Sequence, residues 1–131
     1  MTSLHQKLFS FWSQFTFDGN PIPAYYAGMV PDNAQFPYIT FTVSIGAAFS
    51  QGVNTAFCWF RREDGQSPIP KCATVLDSVA NALPPCGILL EMADGYAAIY
   101  RNDSDWQTYV QDQEDPDVFG GRVSYIINYY Q

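Results

Sequence analysis

The chain has 131 residues, 47% apolar and only 15% charged, a length that one domain over 1–131 fills with a core needing no covalent staples. Six Lys and Arg against thirteen Asp and Glu leave a net charge of −7, which excludes a basic patch for nucleic-acid phosphates and attraction to an anionic membrane surface. Three Cys without a C-x-x-C pair, and a single His, exclude the common zinc sites and suggest reduced, mostly buried thiols in a cytosolic protein.

The opening "MTSLHQKLFSFWSQF" reads as a helix and not as a signal peptide, because Ser and Gln interrupt its apolar run. Ser3 and Gln6 have capping-box spacing. Leu4, Leu8, Phe11, Trp12 and Phe15 form one stripe, with His5, Gln6, Ser10, Ser13 and Gln14 opposite. Gly19-Asn20-Pro21 ends the element. The Pro-punctuated "PIPAYYAGMVP" then suits an edge strand or a strapped loop.

From Tyr38 to Ile45 the alternation is strict, and we expect a central strand. Ile39, Phe41, Val43 and Ile45 face a core, packed on a later helix at Leu76, Val79 and Leu83. Tyr38, Thr40, Thr42 and Ser44 take the other face. "VNTAFCWFRR" is a second strand with large residues on both faces, and "REDGQSP" a turn. Ile69, Cys72, Ala73, Leu76, Val79, Ala80 and Leu83 repeat at helical spacing between a Ser67 cap and the Pro84-Pro85 stop. "GILLEMADGYAAIYRN" reads as a hairpin, Ile88–Ala93 and Tyr96–Arg101, turning at Asp94-Gly95. "DWQTYVQD" is a strand or a loop, "QDQEDPD" a mobile acidic loop, and Gly120-Gly121 opens the final strand "RVSYIINYY". The predicted fold is α+β, two helices on a largely antiparallel sheet of five or six strands in the order αββαβββ.

Catalytic chemistry has no foothold in this pattern. His5 lies on the polar side of its helix without a readable partner. Asp103 and Asp105 lack the Gly that a calcium loop needs at its sixth position, where Thr108 stands. Cys58 sits between Phe57 and Trp59 with no base beside it, as a buried strand cysteine would. We expect no catalytic residue, no metal site and no cofactor. Ten Phe, nine Tyr and three Trp exceed what a small core needs, so some rings face partners or line a pocket. "AYYAGM" and the terminal "NYY" are the candidates for an aromatic-lined apolar pocket, which would make the chain a small ligand-binding module.

The order of elements resembles a known family. Val30-Pro31-Asp32 precedes Phe36-Pro37-Tyr38-Ile39, followed by a strand with Trp, an amphipathic helix, a hairpin and a last strand in Tyr-Ile-x-x-Tyr. This is similar to the tail-completion, or tail-terminator, proteins of long-tailed bacteriophages and prophages. The resemblance implies a non-enzymatic virion structural subunit, made in the bacterial host cytoplasm. It would form a ring, usually a hexamer, at the head-proximal end of the tail, stop tube growth and join the tail tube protein to the head connector. On that reading the Tyr38, Thr40 and Thr42 face and the Asp94-Gly95 tip are expected at subunit contacts. Asp112, Glu114, Asp115 and Asp117 are expected to face the lumen, where their charge repels passing DNA.

Overall fold

A computed structural model describes residues 2–46, 51–93 and 95–130. Helix α1, Thr2–Trp12, starts one residue before Ser3, which therefore lies inside its first turn and not at the cap. It also ends earlier than the apolar stripe suggests, yet Phe15 remains 4% exposed because the chain after α1 turns back against the core. Two short strands, β1 (Thr16–Phe17) and β2 (Asn20–Pro21), make a separate ribbon turned by Asp18 and Gly19, both at positive φ.

Seven strands form the main sheet, more than the five or six expected. They are β3 (Ala24–Tyr26), β4 (Tyr38–Phe41), β5 (Gly52–Arg61), β6 (Ile88–Met92), β7 (Gly95–Arg101), β8 (Gln107–Gln111) and β9 (Val118–Tyr130). The order is β3-β4-β5-β9-β7-β6, with β8 also paired to β9. All pairs are antiparallel except β3 with β4. The class is thus α+β, with a mostly antiparallel sheet. The ambiguous "DWQTYVQD" supplies β8, and the Pro-bounded "AYY" supplies the edge strand β3.

The strand expected to be central is second from an edge and half as long as its alternation suggested. The Thr42 N–H still donates to the Thr55 carbonyl at 3.1 Å, and beyond it Asn54 replaces the backbone partners. Its side chain accepts the Ser44 N–H at 2.6 Å and donates to the Ser44 carbonyl at 2.8 Å. Gly52 allows this close pass, since a Cβ there would lie 2.0 Å from the Ser44 oxygen. Val43 and Ile45 still pack on the core edge. The true centre is β5 with β9, paired over ten residues from Gly52↔Ile127 to Arg61↔Val118.

Gly120 and Gly121 lie inside β9 and do not open it. On one face a Cβ at Gly120 would meet the Trp59 ring at 2.8 Å. On the other a Cβ at Gly121 would meet Leu76 at 2.9 Å. Two large side chains therefore press on one stretch of backbone from opposite sides.

Helix α2 (Ile69–Ala82) packs its Cys72, Val75, Leu76 and Val79 on β5 and β9, followed by the buried Leu83. Ser67 Oγ accepts the Ile69 N–H at 3.3 Å, while Pro68 holds the cap position. At the other end Arg101 donates to the Leu83 and Ala80 carbonyls at 2.8 and 2.9 Å. A cation there also complements the negative end of the helix dipole. Helix α1 lies on the same sheet face, touching β3 and β6. Of the face expected against α2, Ile39 lies with Leu76 and Val79, while the Phe41 ring is 6.3 Å from Trp12 of α1 and 4.9 Å from Tyr26. Both helices thus cover one face, and among the described residues no helix covers the other. Among the described residues no helix is long and apolar enough to cross a membrane.

Candidate functional site

The bare face holds a groove of about 620 Å³. Alternation and register build its floor. Tyr38 stands opposite Trp59, and Thr40 opposite Phe57, so these four side chains share the outer surface of β4 and β5. Phe57 and Trp59 lie parallel, 4.9 Å apart with 8° between planes. The Trp59 indole rests on Gly120 and donates from Nε1 to Thr40 Oγ1 at 3.0 Å. Phe36 stacks beside Tyr38 at 5.0 Å, and Tyr25 meets Tyr38 edge-on at 5.9 Å. The Phe36–Pro37 peptide is cis. Ala27, Gly28 and Val30 form one wall, and Asp112, Glu114, Asp115 and Val118 form the other.

That second wall is the acidic loop between β8 and β9. It is pinned and not loose. The Asp112 N–H donates to the Val118 carbonyl at 2.8 Å, and the Val118 N–H to that of Asp115 at 3.1 Å. The Asp112 carboxylate accepts the Asp115 N–H at 3.2 Å. Arg61 pairs with Asp115 and lies 3.7 Å from Asp117, which Arg62 approaches at 3.8 Å. The hydrogen bond and charge of Arg61 hold the Asp115 carboxyl below its ordinary range. Asp112 and Glu114 make no ion pair among the described residues. Burial raises the Tyr38 hydroxyl pKa, and the nearby Asp112 and then Tyr25 raise it further.

The structure therefore brings together residues that the sequence assigned to two different places. Tyr38 and Thr40, expected at a subunit contact, share one groove with Asp112, Glu114 and Asp115, expected at a lumen. Thr42 lies apart, its hydroxyl donating to Asn54 Oδ1 at 2.9 Å and accepting the Thr55 N–H at 3.1 Å. Gly95 opens β7, paired with Met92 across the hairpin, and Asp94 lies outside the described residues. Asp117 sits beyond the groove lining, beside Arg61 and Arg62.

The remaining candidates have structural employment. The His5 ring packs near Tyr26 at 5.8 Å. Asp105, in the β7–β8 turn, accepts from Arg122 of β9 at 2.5 Å. Cys58 is buried and its thiol pKa is pushed far up by burial, while Cys72 rises to about 11 for the same reason. Cys86 is exposed. Among the described residues no three His, Cys, Asp or Glu side chains converge as a metal set.

Beside Trp12, Ile39 and Leu76, between the helices and the sheet, the described residues leave a cavity of about 10 Å³. That volume holds at most one water. "AYYAGM" contributes instead to the outer groove, while of "NYY" Tyr130 lies elsewhere on that face beside Tyr96 and Tyr129 packs toward the core. A second open groove of about 610 Å³ runs between α1 and the β6–β7 hairpin, along Ser3, Lys7, Ser10 and Glu91.

No protein-family model matches the chain, and no curated protein matches it. Solved structures do. One of them aligns over 99% of this chain and 94% of its own, with a TM-score of 0.53 and 14% identity, and its name carries no function. What this chain shares with that protein is the fold.

Proposed function

We propose that the chain is a non-enzymatic virion subunit of the tail-completion kind, assembling as a ring at the head-proximal end of a phage tail. The supporting observation is the helix-free face of the sheet. Register places Val53 beside Ile126, Ile126 beside Tyr100, Leu89 beside Ala98, and Tyr96 beside Tyr130. Val53 and Leu89 are more than half exposed, and Tyr96 and Tyr130 nearly so. A contiguous apolar and aromatic surface of this kind marks an interaction site more often than a solvent face. In the ring, that face meets neighbouring subunits or the tail tube and head connector. DNA passes through without specific binding. Of the four carboxylates expected at the lumen, Asp115 and Asp117 are offset by Arg61 and Arg62, which leaves the loop a weak repeller of DNA.

Light scattering after size exclusion tests the reading. A mass near six times 14.7 kDa, with rings in electron micrographs, is expected. A monomer at every concentration up to about 1 mM overturns it. One observation favours a second reading, a monomeric binding module: the aromatic floor and 620 Å³ volume of the groove suit a small planar ligand. A monomer that retains a small molecule through purification, identified by mass spectrometry, supports that reading.

A further inference from the structure

The groove is an aromatic floor under two carboxylates that have no cation of their own, which is the chemistry of a site for a positively charged side chain. The inference that follows rests on the ring reading. The chain holds six Lys and Arg, and five are spoken for internally. Arg61 and Arg62 hold Asp115 and Asp117, Lys71 lies 3.7 Å from Glu63, Arg122 holds Asp105, and Arg101 caps α2. Lys7 is the exception among the described residues. It projects from the solvent side of α1 into an open groove, where Glu91 is close but makes no ion pair with it.

Lys7 and the aromatic groove lie on opposite faces of the subunit, since α1 covers one side of the sheet and the groove lies on the other. No subunit can bring its own Lys7 to its own groove. A neighbour can, through a head-to-tail contact, and repeated head-to-tail contacts are what close a cyclic ring. We propose that Lys7 of each copy enters the Trp59 groove of the next, its ammonium between Asp112 and Glu114 and over the indole. The contact also relieves part of the repulsion between copies that each carry −7. Asp112 and Glu114 then lie between subunits and not on the channel wall.

The test is charge reversal with rescue, read as the oligomer dissociation constant by sedimentation velocity. Lys7→Glu and Glu114→Lys are each expected to weaken assembly at least about tenfold, as close charge pairs at interfaces do. The double variant is expected to return to within about threefold of the wild-type value. Both positions are at the surface, and circular dichroism confirms that each variant folds. A wild-type oligomer that Lys7→Glu leaves unchanged overturns the contact while the ring stands, as it would if a basic segment of another protein fills the groove. Single-variant losses without rescue also overturn the pairing. A wild-type chain that is monomeric throughout overturns the ring reading itself, and the contact with it.

Discussion

Replacing Gly120 and Gly121 one at a time by alanine should give unequal results, although the two positions are adjacent and the added atoms meet neighbours at nearly the same distance. At Gly121 the new methyl would lie 2.9 Å from Leu76 Cδ1, 3.1 Å from its Cγ and 3.2 Å from Cys72 Cβ. Leu76 is 2% exposed, and α2 has nowhere to retreat without opening the core. Overpacking of this kind costs about 1–3 kcal/mol. Loss of glycine freedom in the unfolded chain returns about 0.4–1 kcal/mol, because neither glycine has positive φ. The net is a loss of about 1–2 kcal/mol.

At Gly120 the methyl meets Trp59 Cε3 and Cζ3 at 2.8 Å, but this ring borders an open groove and can lift. Lifting costs the bond to Thr40, about 1 kcal/mol. The same unfolded-state gain nearly cancels it. For a chain of 131 residues, about 2.1 cal/mol/K per residue makes 1 kcal/mol worth about 4 °C. Thermal melts should therefore show Gly121→Ala lower by about 4–8 °C and Gly120→Ala within about 2 °C of wild type. Near-UV circular dichroism should change more for Gly120→Ala, as the Trp59–Phe57 stack is disturbed. Equal melting shifts, or the reverse order, would refute the claim that Trp59 yields and α2 does not.

Phe41→Ala should cost about 3–5 kcal/mol in urea unfolding, since the ring is 1% exposed and packed on Trp12 and Tyr26; a loss below about 1 kcal/mol would contradict that packing. Deleting residues 93–95 from the β6–β7 hairpin should spare the fold and impair assembly, and unchanged oligomer mass would remove this tip from the interface. Titration with a thiol reagent at pH 8 should modify Cys86 alone in the native protein and all three cysteines after denaturation. The raised pKa keeps Cys72 protonated until the pH approaches about 11, so rapid native labelling of a second thiol at pH 8 would show that the α2–sheet contact opens.

Local patterns were legible where one element carried its own signal. Helix α2 could be read from its 3.6-residue repeat, and the edge placement of β3 from its prolines. The Tyr38–Ile45 alternation was real but misread as strand length. Alternation reports which way side chains point, while the ladder ends where Asn54 and Gly52, on another strand, take over from its backbone. The groove was hidden for a similar reason. Its floor and walls come from residues 27–40, 57–59 and 112–118, and no local pattern joins them. Arg61 and Asp115 stand 54 positions apart, which is why a pinned loop read as a loose one. Gly120-Gly121 was the available hint, because paired glycines inside a strand signal close approach from both faces.

The placement of β9 has a consequence for how the chain can acquire its shape. By hydrogen bonds the sheet is two half-sheets, β3-β4-β5 and β6-β7, with β8 a lone strand, and among the described residues these are joined only through β9. Among the described strands it is the last to be synthesised. Until it arrives, β5 and β7 each present an unpaired inner edge, and such edges invite pairing with foreign chains. Closure therefore waits until β9 has been made, and ladders that span more than fifty residues form slowly. Each half-sheet is a candidate for complementation, and a peptide with the β9 sequence, supplied in trans, should be the fragment that zips them together.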